Sequence, residues 1–212
     1  MWVVKGLLGS KSHGIMVDMQ LAQFVAQCLE STAYHEAGHT TAAVLQRMPL
    51  RERGIHVDME GSGVSYYRHR SPGDPRRSRE DQLEREQTII ALYSGIAAQR
   101  KFFPECPDEE AWSSDMATIR AVVEEMHPAE LTAGSATLID LQERAEQLVA
   151  DNWSTVERLA STLLAKDNTA LPEIEIQEGW SRGKKATEKF MPSAEIVEFF
   201  ERLGIAVLVL PD

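Results

Sequence analysis

The segment from His35 to His39 reads H-E-x-x-H, a pattern whose residue types and spacing can do metal chemistry. Residues four apart lie on one face of a helix, so the imidazoles of His35 and His39 can bind a single metal ion. Glu36 lies between them and stays free to take a proton from a metal-bound water. The pattern therefore predicts a zinc-dependent hydrolase, with His35 and His39 as metal ligands and Glu36 as the catalytic base.

A helix is predicted to carry this motif, from about Met19 to Arg47, and to end before Pro49. Small or apolar residues flank the motif and indicate that the helix is buried. Two histidines and a glutamate inside a protein need partners, because unpaired buried polar groups are costly. The competing interpretation is a pair of core histidines satisfied by hydrogen bonds, or a helix on the surface.

A catalytic zinc ion usually has three protein ligands and one water, so two histidines need a third partner. One class of zinc peptidase supplies it from a Glu-x-x-x-Asp pair on a second helix, but Glu110 and Asp115 are five apart. Another class extends the motif with a glycine and a third histidine, and those positions hold Ala42 and Leu45. The residue types alone leave these candidates open as the third ligand: Asp115, Glu110, His56 and His69.

Composition and charge limit what else the chain can be. Its 212 residues suit one domain, and 43% hydrophobic with 26% charged residues is typical of a soluble globular protein. The net charge of −11 argues against nucleic acid as a partner, and the basic stretch Arg68–Arg79 is interpreted as a solvated loop. Cys28 and Cys106 make no disulfide framework, which indicates a reducing, cytoplasmic location. No apolar run is long enough to span a membrane.

The elements that must position the motif are predicted in the order helix, hairpin, helices. Two β-prone runs, 54–60 and 64–69, are separated by glycines and predict a hairpin. Apolar residues at helical spacing predict helices over 81–103, 115–126, 136–166 and 194–203, the last capped by Ser193. The segment 168–192 is expected to be irregular, with a short strand at 174–176, and the apolar run 205–210 to form a buried or interface strand. The predicted fold class is mostly α-helical α+β.

Several segments together resemble the peptidase domain of the FtsH-type ATP-dependent zinc metalloproteases. Ala33–His39, followed by Thr-Thr-Ala-Ala, resembles the family's zinc motif, and Leu92–Gln99 is similar to its small-residue helix, usually Gly-Gly-Arg-Ala-Ala-Glu. Ser113–Thr118 resembles the segment whose aspartate is the family's third zinc ligand. The long predicted helix and Ser193–Ile196 resemble the family's C-terminal part, so the resemblance covers residues 31–203.

This resemblance implies a zincin-like helical bundle around the H-E-x-x-H helix, with a small β-hairpin or sheet. It implies that residues 31–203 form the peptidase domain, with 168–192 as an insertion. Residues 1–30 would be an N-terminal extension with the start of the first helix, and 204–212 a C-terminal apolar tail. It also implies that Asp115 is the third zinc ligand, together with His35 and His39.

The sequence departs from the family at several points. The ATPase module and the transmembrane helices that normally precede this domain are not found in the 212 residues. Ser114 stands where the family usually has Asn, Ile96 where it has Arg, and Gln99 where it has Glu. These differences keep every proposed ligand and the base. They leave ATP-driven unfolding to a separate ATPase partner, and they leave open whether the chain forms a homo-oligomer.

The expected function is a zinc metalloendopeptidase that cleaves flexible or unfolded polypeptides. The hairpin strand is expected to bind the substrate by β-augmentation, through Gly63, Val64, Ser65, Tyr66 and Tyr67. Strand residues alternate between faces, so at most one of the two tyrosines faces the site. Two alternatives stay open: a weak or inactive peptidase-like zinc-binding adaptor or assembly domain, and a non-peptidase zinc hydrolase using the same triad. The intact Glu36 argues against the first.

Overall fold

The computed structural model describes residues 11–58, 63–67, 79–105, 112–125, 137–170 and 187–210. These ranges hold six helices and a sheet of five strands, so the mostly α-helical α+β prediction is confirmed. The helices are α1 Lys11–Leu45, α2 Arg79–Phe102, α3 Ser113–Glu125, α4 Leu138–Asp151, α5 Trp153–Leu164 and α6 Ser193–Glu201. The strands are β1 Leu50–Asp58, β2 Gly63–Tyr67, β3 Thr169–Ala170, β4 Thr187–Met191 and β5 Val209–Leu210.

Helix α1 carries the H-E-x-x-H motif and packs closely against α2. A Cβ atom on Gly38 would come within 2.5 Å of the backbone oxygen of Ser94 on α2. A Cβ atom on Gly95 would come within 2.3 Å of the His39 ring. Only glycine leaves room at both points, so the two backbones approach closely where the histidines lie.

The sheet has the order β2-β1-β4-β3, with β5 pairing in parallel with the start of β1. β1 and β2 pair antiparallel as the predicted hairpin, and β1 pairs antiparallel with β4 on its other side. Gly54 lies at φ +69, and a Cβ there would come within 2.1 Å of the backbone oxygen of Met191. The glycine therefore lets β1 pass close to the end of β4. Within this sheet β2 is an edge strand.

Two clusters of buried side chains hold these layers together. The larger one joins α1, β1, α5 and α6 and includes Ile55, Leu159 and Phe200, each fully buried. The second lies between α2, α3 and α4 and includes Trp112 and Ile119. The second cluster packs the start of α3 against α2 and so fixes the position of Asp115 in the first turn of α3. No helix in these ranges is both long and apolar enough to cross a membrane.

The long helix predicted over 136–166 is wrong as a single element, because it is interrupted at Asn152. Asn152 leaves helical geometry at φ −113 and ψ 21, and its side-chain amide donates to the backbone oxygen of Leu148. The break gives two helices with different partners, since α4 packs on α2 and α5 packs on α1. A mixture of three- and four-residue apolar spacing is found in any amphipathic helix, so the sequence pattern does not record this break.

The boundaries of the first helix also differ from the prediction. α1 begins at Lys11, earlier than the predicted Met19, and ends at Leu45 rather than Arg47. Arg47 adopts φ 60, a left-handed conformation that ends a helix instead of continuing it.

The C-terminal part corrects three further expectations. The segment 168–192 is not irregular throughout, since Thr187–Met191 forms β4 beside β1; the strand expected at 174–176 lies outside the described residues. Ser193 is not the cap of α6 but its first helical residue, and Pro192 occupies the cap position. The run 205–210 is not a buried strand, because only Val209–Leu210 pairs, and Leu208 and Val209 are 54% and 39% exposed.

Replacing Gly38 with alanine tests the closeness of α1 and α2. In an open helix this change would stabilise the protein by about 1 kcal/mol, because alanine favours helix more than glycine does. Here the added methyl meets the Ser94 backbone oxygen, so we expect a destabilisation of about 1–3 kcal/mol. Urea unfolding of the two proteins measures the difference. A stabilised Gly38→Ala variant would show that the helices are not in close contact.

Candidate metal centre

His35 and His39 project from adjacent turns of α1 and meet the carboxylate of Asp115, which comes from the first turn of α3. Their Nε2 atoms are 2.8 Å apart. Oδ2 of Asp115 lies 2.9 Å from Nε2 of His35 and 3.2 Å from Nε2 of His39. One atom from each residue thus points at one small volume, and the three side chains can hold a metal ion.

The partner of the other ring nitrogen shows which atom of His39 is available to a metal. Nδ1 of His39 lies 2.8 Å from the backbone oxygen of Ala91 on α2. A carbonyl oxygen only accepts hydrogen bonds, so Nδ1 is the nitrogen that carries the proton. In the neutral imidazole, Nε2 then presents a bare lone pair to the centre.

His35 is arranged in the same way through a side-chain amide. Its Nδ1 lies 2.8 Å from Oε1 of Gln99 on α2. This oxygen accepts, so Nδ1 donates and Nε2 again presents a lone pair to the centre. Both histidines therefore have the tautomer and orientation that a metal ligand requires.

The convergence of three electron-pair donors is the observation that fits a cation. With both imidazoles neutral, Oδ2 of Asp115 is a buried oxygen with no hydrogen-bond donor. His35 and His39 are 7% and 4% exposed, so water screens the centre little. Lone pairs this close repel one another unless a positive charge lies between them. Two imidazoles and one carboxylate also match the usual donor set of a catalytic zinc site.

A proton can satisfy the same donors when no metal is bound. Burial lowers the pKa of His39, but the Asp115 carboxylate beside it outweighs burial and raises that pKa to about 9. Burial raises the pKa of the Asp115 carboxyl, but the adjacent His39 and His35 rings outweigh it and hold the pKa below its usual range. The metal-free protein therefore keeps a proton where a metal ion would bind.

Glu36 lies beside the centre and is held by β2. Its carboxylate is packed so closely on Gly63 that a Cβ there would come within 2.6 Å of Glu36 Oε1. The hydroxyl of Ser65 donates to Oε2 of Glu36 at 2.6 Å. Burial raises the pKa of Glu36, and it outweighs the His39 and His35 rings and the Ser65 hydroxyl, which lower it. A carboxyl group with a raised pKa is better matched to taking a proton near neutral pH.

The structure divides the five β2 residues that were predicted to bind substrate. Gly63 and Ser65 contact Glu36, and the buried ring of Tyr67 lies 6.3 Å from the His39 ring. These three alternate residues share one face of the strand, whereas Val64 belongs to the other face. The side chain of Tyr66 is outside the described part of the chain. Burial, with the Asp115 and Glu36 carboxylates, raises the pKa of Tyr67 well above its usual value.

Of the other candidates for the third ligand, His56 is the one among the described residues, and it is not part of the cluster. Nε2 of His56 donates to the backbone oxygen of Arg53 at 2.8 Å, and its ring packs on Phe190. These contacts give His56 a structural role within the sheet. Glu110 and His69 lie outside the described residues.

Sequence reasoning missed the contacts that surround the His35, His39 and Asp115 cluster and Glu36. Ala91 bonds to His39, Gln99 to His35 and Ser65 to Glu36. Trp112 reaches the same amide oxygen of Gln99. None of these has a motif of its own, and a backbone carbonyl has no sequence signal at all. In the sequence, Gln99 stands out only as a departure from the family pattern.

No protein-family model matches the chain, and no curated protein matches its sequence. The site that the structure describes is a buried centre of two imidazoles from α1 and one carboxylate from α3, with the Glu36 carboxylate beside it.

The raised pKa of His39 predicts a pH-dependent metal affinity. A metal ion must displace the proton that Asp115 holds on His39, whose pKa is about 9. At pH values below 9, each increase of one pH unit should raise the apparent zinc affinity about tenfold, because one proton leaves as one ion binds. Zinc titration against a competing chelator between pH 6.5 and 8.5 measures this slope. An affinity that does not change over this range would contradict the shared proton.

Proposed function

We propose that this protein is a zinc metalloendopeptidase that hydrolyses peptide bonds of flexible or unfolded polypeptides. The observation that carries the proposal is the meeting of His35 Nε2, His39 Nε2 and Asp115 Oδ2 beside the Glu36 carboxylate. A metal-binding cluster alone is compatible with a structural role. The buried Glu36 carboxylate beside this cluster favours hydrolysis, because it can act as a base.

Zinc bound by His35, His39 and Asp115 would polarise a water and lower its pKa towards neutrality. Three protein ligands leave a coordination position for that water, as catalytic zinc sites do. Each of the chain's own residues then has a distinct task. The two imidazoles and Asp115 hold the ion, and Glu36, with its raised pKa, takes a proton and delivers it to the leaving amine. Ser65 keeps the Glu36 carboxylate in place.

The edge strand β2 supports a polypeptide as the substrate. One edge of β2 pairs with β1, and in the described sheet no strand pairs with its other edge. An extended peptide can add to such an edge through backbone hydrogen bonds, which requires no particular side-chain sequence. Gly63 and Ser65 of this strand contact Glu36, so a peptide paired with β2 would pass close to the base.

The burial of the centre favours flexible substrates. His35, Glu36 and His39 are 7%, 4% and 4% exposed. A folded protein cannot bring a backbone carbonyl into so enclosed a centre, whereas an extended chain can.

The resemblance of residues 31–203 to FtsH-type peptidase domains supports the same assignment. Unfolding by a separate ATPase partner, assembly into a homo-oligomer and a cytoplasmic location belong to this proposal as well.

Replacing Glu36 with glutamine tests the base directly. The variant keeps the shape and all three ligands but cannot take a proton. We expect it to bind one zinc ion per chain, like the wild type, and to cleave casein about 10²–10⁴-fold more slowly. Glu143→Gln is the matched control, because Glu143 is an exposed glutamate on α4 and its loss should not change the rate.

The other outcomes separate the competing functions. Zinc binding without cleavage of casein by either protein would favour the zinc-binding adaptor or a non-peptidase hydrolase. Full activity in Glu36→Gln would remove Glu36 as the base. A folded substrate should resist cleavage until it is denatured, and equal cleavage of its folded and denatured forms would contradict the preference for flexible chains.

A further inference from the structure

We propose that Trp112 is a positioning residue that keeps His35 in its metal-binding tautomer by fixing the orientation of the Gln99 amide. The proposal rests on the metal centre proposed above and adds residues that touch neither the metal position nor a substrate. Its evidence is a hydrogen-bonded chain that runs from α1 through α2 to the residue preceding α3.

The geometry places two donors on one oxygen. Nδ1 of His35 lies 2.8 Å from Oε1 of Gln99, and Nε1 of Trp112 lies 2.7 Å from the same oxygen. Gln99 is 4% exposed and Trp112 is 8% exposed, so little water competes for these bonds. Both contacts are buried and link residues far apart in the sequence.

A glutamine side chain can in principle present either end to His35. Its oxygen accepts and its NH₂ group donates, while the two orientations have almost the same shape. If the NH₂ group faced His35, Nδ1 would have to accept and the proton would move to Nε2. A protonated Nε2 cannot bind a metal ion, so this orientation of Gln99 would remove a ligand from the centre.

The indole of Trp112 excludes that orientation. An indole N–H is only a donor, so it needs an acceptor. If Gln99 were rotated, the indole N–H would face the NH₂ group, and two donors cannot form a hydrogen bond. The bond therefore holds Oε1 between the two rings. The indole itself is held by the guanidinium of Arg100, 4.3 Å from the ring centroid, and by the buried cluster between α2, α3 and α4. Because Trp112 is held in place, its hydrogen bond fixes the orientation of the Gln99 amide.

The same tryptophan lies three residues before Asp115, the ligand that α3 contributes. The contacts form a closed circuit from His35 to Gln99, to Trp112, along the chain to Asp115 and back to His35. The circuit therefore couples the tautomer of His35 to the position of the start of α3, which supplies Asp115.

A comparison of two backgrounds isolates the role of the amide. Glutamate at position 99 would accept through either oxygen, so its orientation would not matter and the indole would no longer be needed. The test compares zinc dissociation constants, obtained by competition with a chelator, for the wild type, Trp112→Phe, Gln99→Glu and the double variant. Trp112→Phe keeps an aromatic ring but removes the N–H.

We expect Trp112→Phe alone to weaken zinc binding by about 10–100-fold. In the Gln99→Glu background the same change should cost less than about threefold, because a carboxylate cannot present a donor to His35. Equal losses in both backgrounds would overturn the proposal, since Trp112 would then act by packing alone. So would no loss in either background. Trp153→Phe removes an indole N–H elsewhere, on the ring that stacks near Tyr34, and should leave the zinc affinity unchanged.

Failure of this inference is distinct from failure of the metal centre. A wild type that binds no zinc overturns the centre itself. A wild type and a Trp112→Phe variant that bind zinc equally well overturn only the positioning role. NMR of the zinc-loaded wild type gives a test that needs no variant. The His35 Nδ1 proton and the Trp112 indole proton should both show coupling across a hydrogen bond to the side-chain carbonyl carbon of Gln99. A His35 Nδ1 without a proton would overturn the proposal.

Discussion

The repulsion among three converging lone pairs is the constraint on which the rest of this structure depends. His35, His39 and Asp115 present donor atoms within 3.2 Å of one another at a buried point. Such an arrangement is unfavourable unless a cation or a proton neutralises it. The raised pKa of His39 and the lowered pKa of Asp115 are the response of the metal-free protein to that constraint.

The fold holds these donors together from three directions. Gly38 and Gly95 let α1 and α2 approach closely enough for the backbone of Ala91 and the side chain of Gln99 to reach the two imidazoles. The cluster between α2, α3 and α4 seats the start of α3, which presents Asp115. The hairpin strand β2 covers Glu36 from the other side. Because each contact comes from a different element, the centre depends on the packing of the whole domain.

The histidine pair and the hairpin could be predicted from sequence because their signals are local. Helical spacing places His35 and His39 on one face, and glycines between two β-prone runs indicate a turn. Asp115 could not be chosen from spacing alone, since it lies far along the chain, and it was singled out only through the family resemblance. Gln99 and Trp112 were missed because their roles depend on side-chain contacts between helices that no periodicity records.

The break at Asn152 and strand β4 were not predicted, and the reason is again physical. Asn152 interrupts a continuous apolar pattern through its own backbone angles and its amide bond to Leu148, which a hydrophobic period does not register. Strand β4, Thr187–Met191, has a polar start, and its pairing with β1 gives it a place in the sheet. Long-range pairing and local polar contacts therefore decided these elements.

X-ray absorption at the zinc edge of the zinc-loaded protein tests the coordination most directly. The spectrum should show two imidazole nitrogens at about 2.0–2.1 Å, with oxygen ligands at about 2.0–2.2 Å from Asp115 and water. A sulfur ligand at about 2.3 Å, or a shell of oxygen atoms alone, would contradict a centre built from His35, His39 and Asp115.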